Sequence, residues 1–390
     1  MSFSFLYLLC VILLIHHQYY YDSPFDAYGD DERFYSWGKE FQYNLLSPSY
    51  SIYEKIIALV FKFYSLFGFK ESIYQVLPFN ILVGSLTTVL SYRLAIAITG
   101  RDLSVFVVFM TVLMNYTFSQ NTVHLYRDIY IAFLSIAFLV DLVEGRNVRA
   151  LLWVVLVTPF RLPNGLFLII VYMFIFFTNM TKSSLVKFIF FSGLMLLLLF
   201  SSIGSGLTVS KYNLANIGDI FSSRIEKFSE GAQQSGGGLA VLNELPGPVR
   251  FVLNNYVQVV RPIGINPPYH PVRESLEDQK ILNPRAIGWM ITTISLIFLI
   301  GPYITGINNI LTFRAGINPL FCVYFILMCF VIGFLSFLDR HRVIIIPLFP
   351  TIYAIGLCYS NVTNVRVEKK LFFSVCSCLF LLLLLARLIR

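Results

Sequence analysis

The chain has 390 residues, 57% of them hydrophobic and 13% charged, with a formal net charge of +8 and a mean hydropathy of +0.73. A soluble domain carries about 25% charged residues, so this composition excludes one. Runs such as Phe188–Leu199 and Phe372–Leu385 are too long and too bare for a soluble core. In hydrocarbon a backbone must satisfy its own hydrogen bonds, which leaves helices or a closed barrel. The runs are continuous rather than alternating, which selects helices. The expected fold class is therefore an all-α polytopic membrane protein. Its positive charge is spread over short loops without a basic tail, which argues against nucleic acid and fits the positive-inside bias.

The first apolar segment covers about 3–19 and lacks a basic n-region or a small-x-small cleavage site, so it reads as a retained helix. A first outer loop follows at about 20–76, with eight acids against five bases. Within it, Tyr50–Gly68 is amphipathic: Ser51, Glu54, Lys55, Lys62 and Ser65 share one face, and Ile52, Ile56, Leu59, Phe63 and Phe67 lie away from it. That pattern predicts a helix lying in the membrane interface. Further spans are expected near 77–98, 104–119, 128–143, 150–160, 163–178, 185–204, 286–306, 318–337, 343–360 and 371–387, making about 11 transmembrane helices.

Only Arg161 and Leu162 separate the fifth and sixth of these spans, which suggests a bent pair. Basic residues at Arg101, Arg146, Arg149, Lys182, Arg314, Arg366, Lys369 and Lys370 fall on the inner side if the N-terminus is inside. The chain thus divides into an N-terminal transmembrane module (1–204), a polar outer-side loop (205–285) and a C-terminal transmembrane module (286–390). All six cysteines lie in apolar segments without metal-type spacing, as small core residues do. His16, His17 and His270 have no companion ligands at characteristic spacing.

Three clusters could carry chemistry. Asp30, Asp31 and Glu32 stand just outside the first span, where a water-facing site would meet a lipid-borne substrate. Adjacent like charges favour a raised pKa on one of them and a role as base. The structural alternative is a helix N-cap at Asp31 ahead of Glu32–Tyr43. The second cluster, His124 to Asp128, lies at the outer end of the fourth span, and Arg127 with Asp128 reads either as a site or as a self-neutralising pair. The third is Asp339 to Arg342, running into Pro347 and Pro350. Paired arginines suit phosphate through their forked donors, or they anchor the helix at the interface. Arg161 and Arg261 are further outer-side cations. No P-loop or nucleotide-binding glycine loop is present.

In this order the clusters resemble the GT-C superfamily of membrane glycosyltransferases, most of all the branch of protein O-mannosyltransferases and the lipid A aminoarabinose transferase. Its acidic Asp-Glu-x-x-Tyr motif after the first helix is matched by Asp31, Glu32 and Tyr35. A second span marked by Pro78, Asn80 and Gly84 follows, then an acid opening the fourth helix at Asp128, then the Arg340–Pro350 segment. The likeness covers 20–145 and 335–360, and 205–285 matches nothing in the family pattern.

The resemblance implies an enzyme of cell-surface glycan synthesis in a bacterial inner membrane, with its site facing the periplasm. It would transfer a sugar from a polyprenyl-phosphate-linked donor to a glycan or lipid acceptor, with inversion. Asp31 would be the catalytic base, with Asp30, Glu32 and Asp128 as further acidic site residues. Arg340, Arg342, Arg127, Arg161 and Arg261 would bind the donor phosphate. A divalent metal is left open, since some relatives need one and others do not. Two other expectations compete: a polymerase joining lipid-linked repeat units of the O-antigen kind, and a non-enzymatic flippase or transporter of lipid-linked saccharides. A transporter should carry charges near span centres and broken helices.

Overall fold

The computed structural model describes residues 2–21, 25, 30–45, 51–102, 105–180, 284–335 and 343–359. Every regular element among them is helical, as expected of an all-α protein. In chain order these are α1 (Ser2–Tyr21), α2 (Asp30–Phe41), α3 (Ile52–Ser65), α4 (Ile73–Thr99) and α5 (Val105–Val108), which continues as a π-turn over Phe109–Leu113. Then come α6 (Tyr116–Val123), α7 (Asp128–Val143), α8 (Asn147–Val157), α9 (Leu162–Met180), α10 (Pro284–Leu311), α11 (Pro319–Leu335) and α12 (Phe349–Tyr359). The expected spans at 185–204 and 371–387 and the loop 205–285 lie outside the described residues.

Local sequence explains the helix ends. Ser51 caps α3 by accepting the Tyr53 N–H, and Ser72 with Gln75 forms a reciprocal capping box on α4. Gly100 closes α4 at φ 64°, a left-handed position that a residue with a Cβ adopts only under strain. Asn115 caps α6 through the Thr117 N–H. That cap corrects the expected span at 104–119: the chain leaves its helix through the π-turn and starts a new one at Tyr116.

Among the described residues α4 is long and apolar enough to cross a membrane. The pair α6 and α7, bent by 117° at the His124–Arg127 turn, would make a second span if taken together. The helices α8 and α12 and the apolar parts of α9 and α11 are shorter. The expected segments at 150–160 and 163–178 are present as two helices, α8 and α9, joined by the Thr158–Arg161 turn.

The core lies between α4, α7 and α12, with α10 packed along α12 and α1 against α4 and α6. α10 and α12 touch through glycine. A Cβ on Gly356 would overlap the Pro302 carbonyl oxygen, and one on Gly306 the Ile352 carbonyl oxygen. Backbone cannot yield there as a side chain would, so Gly356→Ala is expected to cost about 1–3 kcal/mol. A fall in melting temperature in detergent checks this, and an unchanged melting temperature would mean the two helices are not so close.

α3 keeps an outward apolar row, and Lys62 and Ser65 of its polar face are exposed, but its first turn departs from the expectation. Ser51 and Glu54, placed on its water face, are buried, whereas Ile52, Leu59, Phe63 and Phe67 are exposed. The reason is tertiary: Ser51 Oγ donates to the Phe160 carbonyl at 3.1 Å, the Ile52 N–H to the Pro159 carbonyl, and Glu54 sits within the charge field of Arg127. Of the cysteines, Cys10 and Cys322 are buried, and Cys329 and Cys358 are partly so; all four are free thiols.

Candidate functional site

The site forms where four chain segments meet at one end of α7: the first turn of α2, the N-terminus of α3, the α6–α7 turn and the α8–α9 turn. Asp31 enters it from α2. Its carboxylate is fully buried, with Oδ1 accepting the Glu32 N–H at 2.9 Å and Oδ2 3.1 Å from His124 Nδ1. The expected N-cap at Asp31 is corrected: helix α2 begins at Asp30, so Asp31 lies inside its first turn and accepts the N–H of the very next residue. The expectation that Asp31 faces water is corrected: Glu32 is exposed while Asp31 points inward to His124. Burying one member and leaving the other in solvent separates charges that neighbour each other in sequence. Asp30 is the first residue of α2.

His124 is 3% exposed, and its backbone is held in place independently of its ring. Asn80 Nδ2, from the N-terminal third of α4, donates to the His124 carbonyl at 3.1 Å. Tyr130 in turn donates through its hydroxyl to Asn80 Oδ1 at 3.0 Å. Below them lies an aromatic floor: Phe34 packs edge-on to Tyr53, Tyr53 contacts Tyr130, and Tyr130 stacks on Phe160.

Arginines surround this floor. The Arg127 guanidinium donates to the Phe160 carbonyl at 3.3 Å and lies 5.8 Å from the Phe34 ring centre, with Arg33 5.7 Å from the same ring. Burial lowers the Arg127 pKa from its ordinary value; Asp128 and Glu54 oppose that shift, and the like charges of Arg161 and Arg33 add to it. The sequence offered Arg127 as the partner of Asp128, and this is corrected. Asp128 pairs with Arg161, Nη1 to Oδ1 at 3.3 Å, because the α8–α9 turn delivers Arg161 to the first turn of α7. Arg127 instead turns toward the Phe160 carbonyl.

The structure therefore brings together Asp31, Asp128, Arg127 and Arg161 from the expected set. Glu32 stands at the surface beside them, and Arg261, Arg340 and Arg342 lie outside the described residues. Sequence reasoning named His124 only as the start of the second cluster and Glu54 only as part of a helix face, gave Arg33 no role, and treated Asn80 as a span marker alone. Among the described residues no group of three or more His, Cys, Asp or Glu side chains converges as a metal centre would require.

The opposite end of α7 carries a second charge network. Asp141, 3% exposed, accepts from Trp153 Nε1 at 2.7 Å and pairs with Arg146 and Arg149. Glu144 accepts both Arg93 Nε and Nη2 in a forked contact. Both ends of α7 carry arginines, with the buried acid–histidine pair at one and the Asp141–Arg146–Arg149 and Arg93–Glu144 pairs at the other. No protein-family model, curated protein or solved structure matches this chain.

Proposed function

We propose that this chain is an integral membrane glycosyltransferase using a polyprenyl-phosphate-linked sugar donor on the outer face of the membrane. One observation carries the reading: one end of α7 holds a buried carboxylate–imidazole pair, Asp31 and His124, together with Arg127 over the Phe34 ring and Arg161 paired with Asp128. Sugar transfer with inversion needs both halves. The acceptor hydroxyl gives up its proton as its oxygen bonds to the anomeric carbon, and that carbon develops oxocarbenium character as the phosphate departs. The departing phosphate needs fixed positive charge in a dry setting, which Arg127 and Arg161 supply. Arg340, Arg342 and Arg261 are further candidates for the same role by their place in the sequence.

Membrane placement rests on the apolar length of α4 and on the outward stripes. Phe79, Leu82, Leu86 and Val89 run exposed along α4, and Val148, Leu151, Leu152 and Val155 along α8. Such rows are costly in water and neutral in lipid. The exposed row of α3 supports an interfacial position for that helix.

Orientation follows from the loops. The positive-inside bias favours Arg101, Arg146 and Arg149 in the cytoplasm and the loop after α1, with eight acids against five bases, outside. A cysteine at Ser36 is then expected to react with an impermeant thiol reagent from the periplasm, and one at Asn147 only after the membrane is opened. Labelling of both from the same side would break the model.

A second reading, a flippase for lipid-linked saccharides, is favoured by the 117° break between α6 and α7, since discontinuous helices serve transporters. One experiment separates the two. The purified protein in lipid nanodiscs is offered polyprenyl-phosphate sugars with an acceptor lipid or glycan, and in vesicles the same lipid is followed across the bilayer. Glycosidic product supports the enzyme, and translocation without product supports the flippase.

A further inference from the structure

We infer that the outward face of α8 binds an anionic phospholipid of the cytoplasmic leaflet, its phosphate on Arg149 and its acyl chains along Leu152 and Leu156. This rests on the membrane placement above and not on the transfer chemistry. The sequence puts both halves of such a site on one helix. Val148, Leu151, Leu152, Val155 and Leu156 are exposed along one face of α8, while Ala150, Val154 and Val157 pack inward. At about 3.6 residues per turn, Arg149 falls at the margin of the exposed face, in line with Leu152 and Leu156.

The cationic half is built from the interior outward. Buried Asp141 accepts from Trp153 Nε1 at 2.7 Å and draws in two arginines at 3.3 Å, Arg146 through Nη1 and Arg149 through Nε. That contact orients the Arg149 guanidinium, and neither of its terminal NH₂ groups donates a hydrogen bond among the described residues. The side chain is 58% exposed, so the terminal pair is open to a phosphate and can meet it as a fork. Glu144 is shared between Arg93 and Arg146. Three guanidiniums thus stand against two carboxylates, which leaves one positive charge over.

The positive-inside bias asks only for charge on this side, as Arg101 supplies it with no ion pair among the described residues. Arg149 differs because a buried acid holds it beside an apolar row. The row also decides the occupant. A protein partner would favour aromatic anchors, whereas this face holds Val and Leu alone, a surface for acyl chains.

The test counts bound lipid by native mass spectrometry. The full chain, delipidated in detergent, is titrated with phosphatidylglycerol and with phosphatidylcholine of the same acyl chains. The wild type is expected to hold the anionic lipid about fivefold more tightly, the effect of one arginine near an anionic surface. Arg149→Gln should remove that preference, and Arg149→Lys part of it, since lysine keeps the charge and loses the fork. Arg101→Gln removes the same charge from the same side and should leave the preference intact. Equal losses in Arg101→Gln and Arg149→Gln would mean diffuse surface charge and overturn the site. If Arg149→Gln does not fold, Arg149→Lys decides, and a preference equal to wild type overturns the inference. Leu152→Ser should weaken both lipids, and unchanged binding would overturn the acyl contact. Glycerol 3-phosphate, a head without chains, should not displace the lipid; displacement would make the ligand a soluble phosphate instead. A wild type that binds both lipids alike sinks this inference alone and leaves the transferase reading standing. One that takes up neither lipid sinks the membrane placement, and both fall.

Discussion

Asp31→Asn is expected to lower sugar transfer by about 10²–10⁴-fold, on the order of 3–5 kcal/mol of barrier, while the protein still folds. The substitution keeps size and shape but removes the charge that orients and stabilises His124. It also replaces one accepting oxygen with an NH₂ group between the donating Glu32 N–H and the His124 Nδ1. One unsatisfied contact of that kind costs about 1–3 kcal/mol. The rate loss should therefore exceed what the stability loss accounts for, and a variant assayed well below its melting temperature separates the two. A rate within about threefold of wild type would remove the pair from the chemistry. A protein that no longer folds would assign Asp31 to the core instead, and Asp31→Glu then tests whether any carboxylate at this point restores transfer.

The helical class and many of the helix positions were legible because they depend on local pattern. Apolar runs and the break around Arg161 announce themselves within a few residues of where they act, whereas the Ser51 and Ser72 caps were not read from the sequence. The acidic cluster after α1 was also visible, and its buried member is the one the Asp-Glu-x-x-Tyr spacing singled out. The partners were not visible. Asp31 meets His124 across 93 positions and Tyr130 meets Asn80 across 50, and no periodicity encodes such pairings.

α3 shows the same limit from another side. Its 3.6-residue period was clear, yet which face turns inward depends on a carbonyl at Phe160 and a guanidinium at Arg127. Ser51 and Glu54 looked like a water face because their partners lie more than seventy positions away. The expected span through 104–119 failed for a local reason that composition hides: Asn115 is a small interruption in hydropathy but a strong helix start.

Arg161→Ala is expected to act twice, and the double variant with Asp128→Asn separates the two effects. Asp128 is buried and Arg161 partly exposed, with side-chain exposures of 7% and 28%. Removing the arginine leaves a buried carboxylate without this partner, which costs about 3–5 kcal/mol for a fully buried pair. Solvent reaching Arg161 reduces that to about 1–3 kcal/mol. Neutralising Asp128 as well should return most of the lost stability, because the charge that needed compensation is gone. If pairing with Asp128 is all that Arg161 does, the double variant regains transfer along with stability. A phosphate-binding Arg161 predicts otherwise: the double variant melts near wild type yet transfers about 10²–10³-fold more slowly, since no fixed cation meets the departing phosphate. Arg161→Lys sharpens the test. Lysine keeps the charge beside Asp128 and loses the fork, so stability should hold while the donor-dependent rate falls. Rates that follow melting temperature across all three variants would confine Arg161 to a structural role.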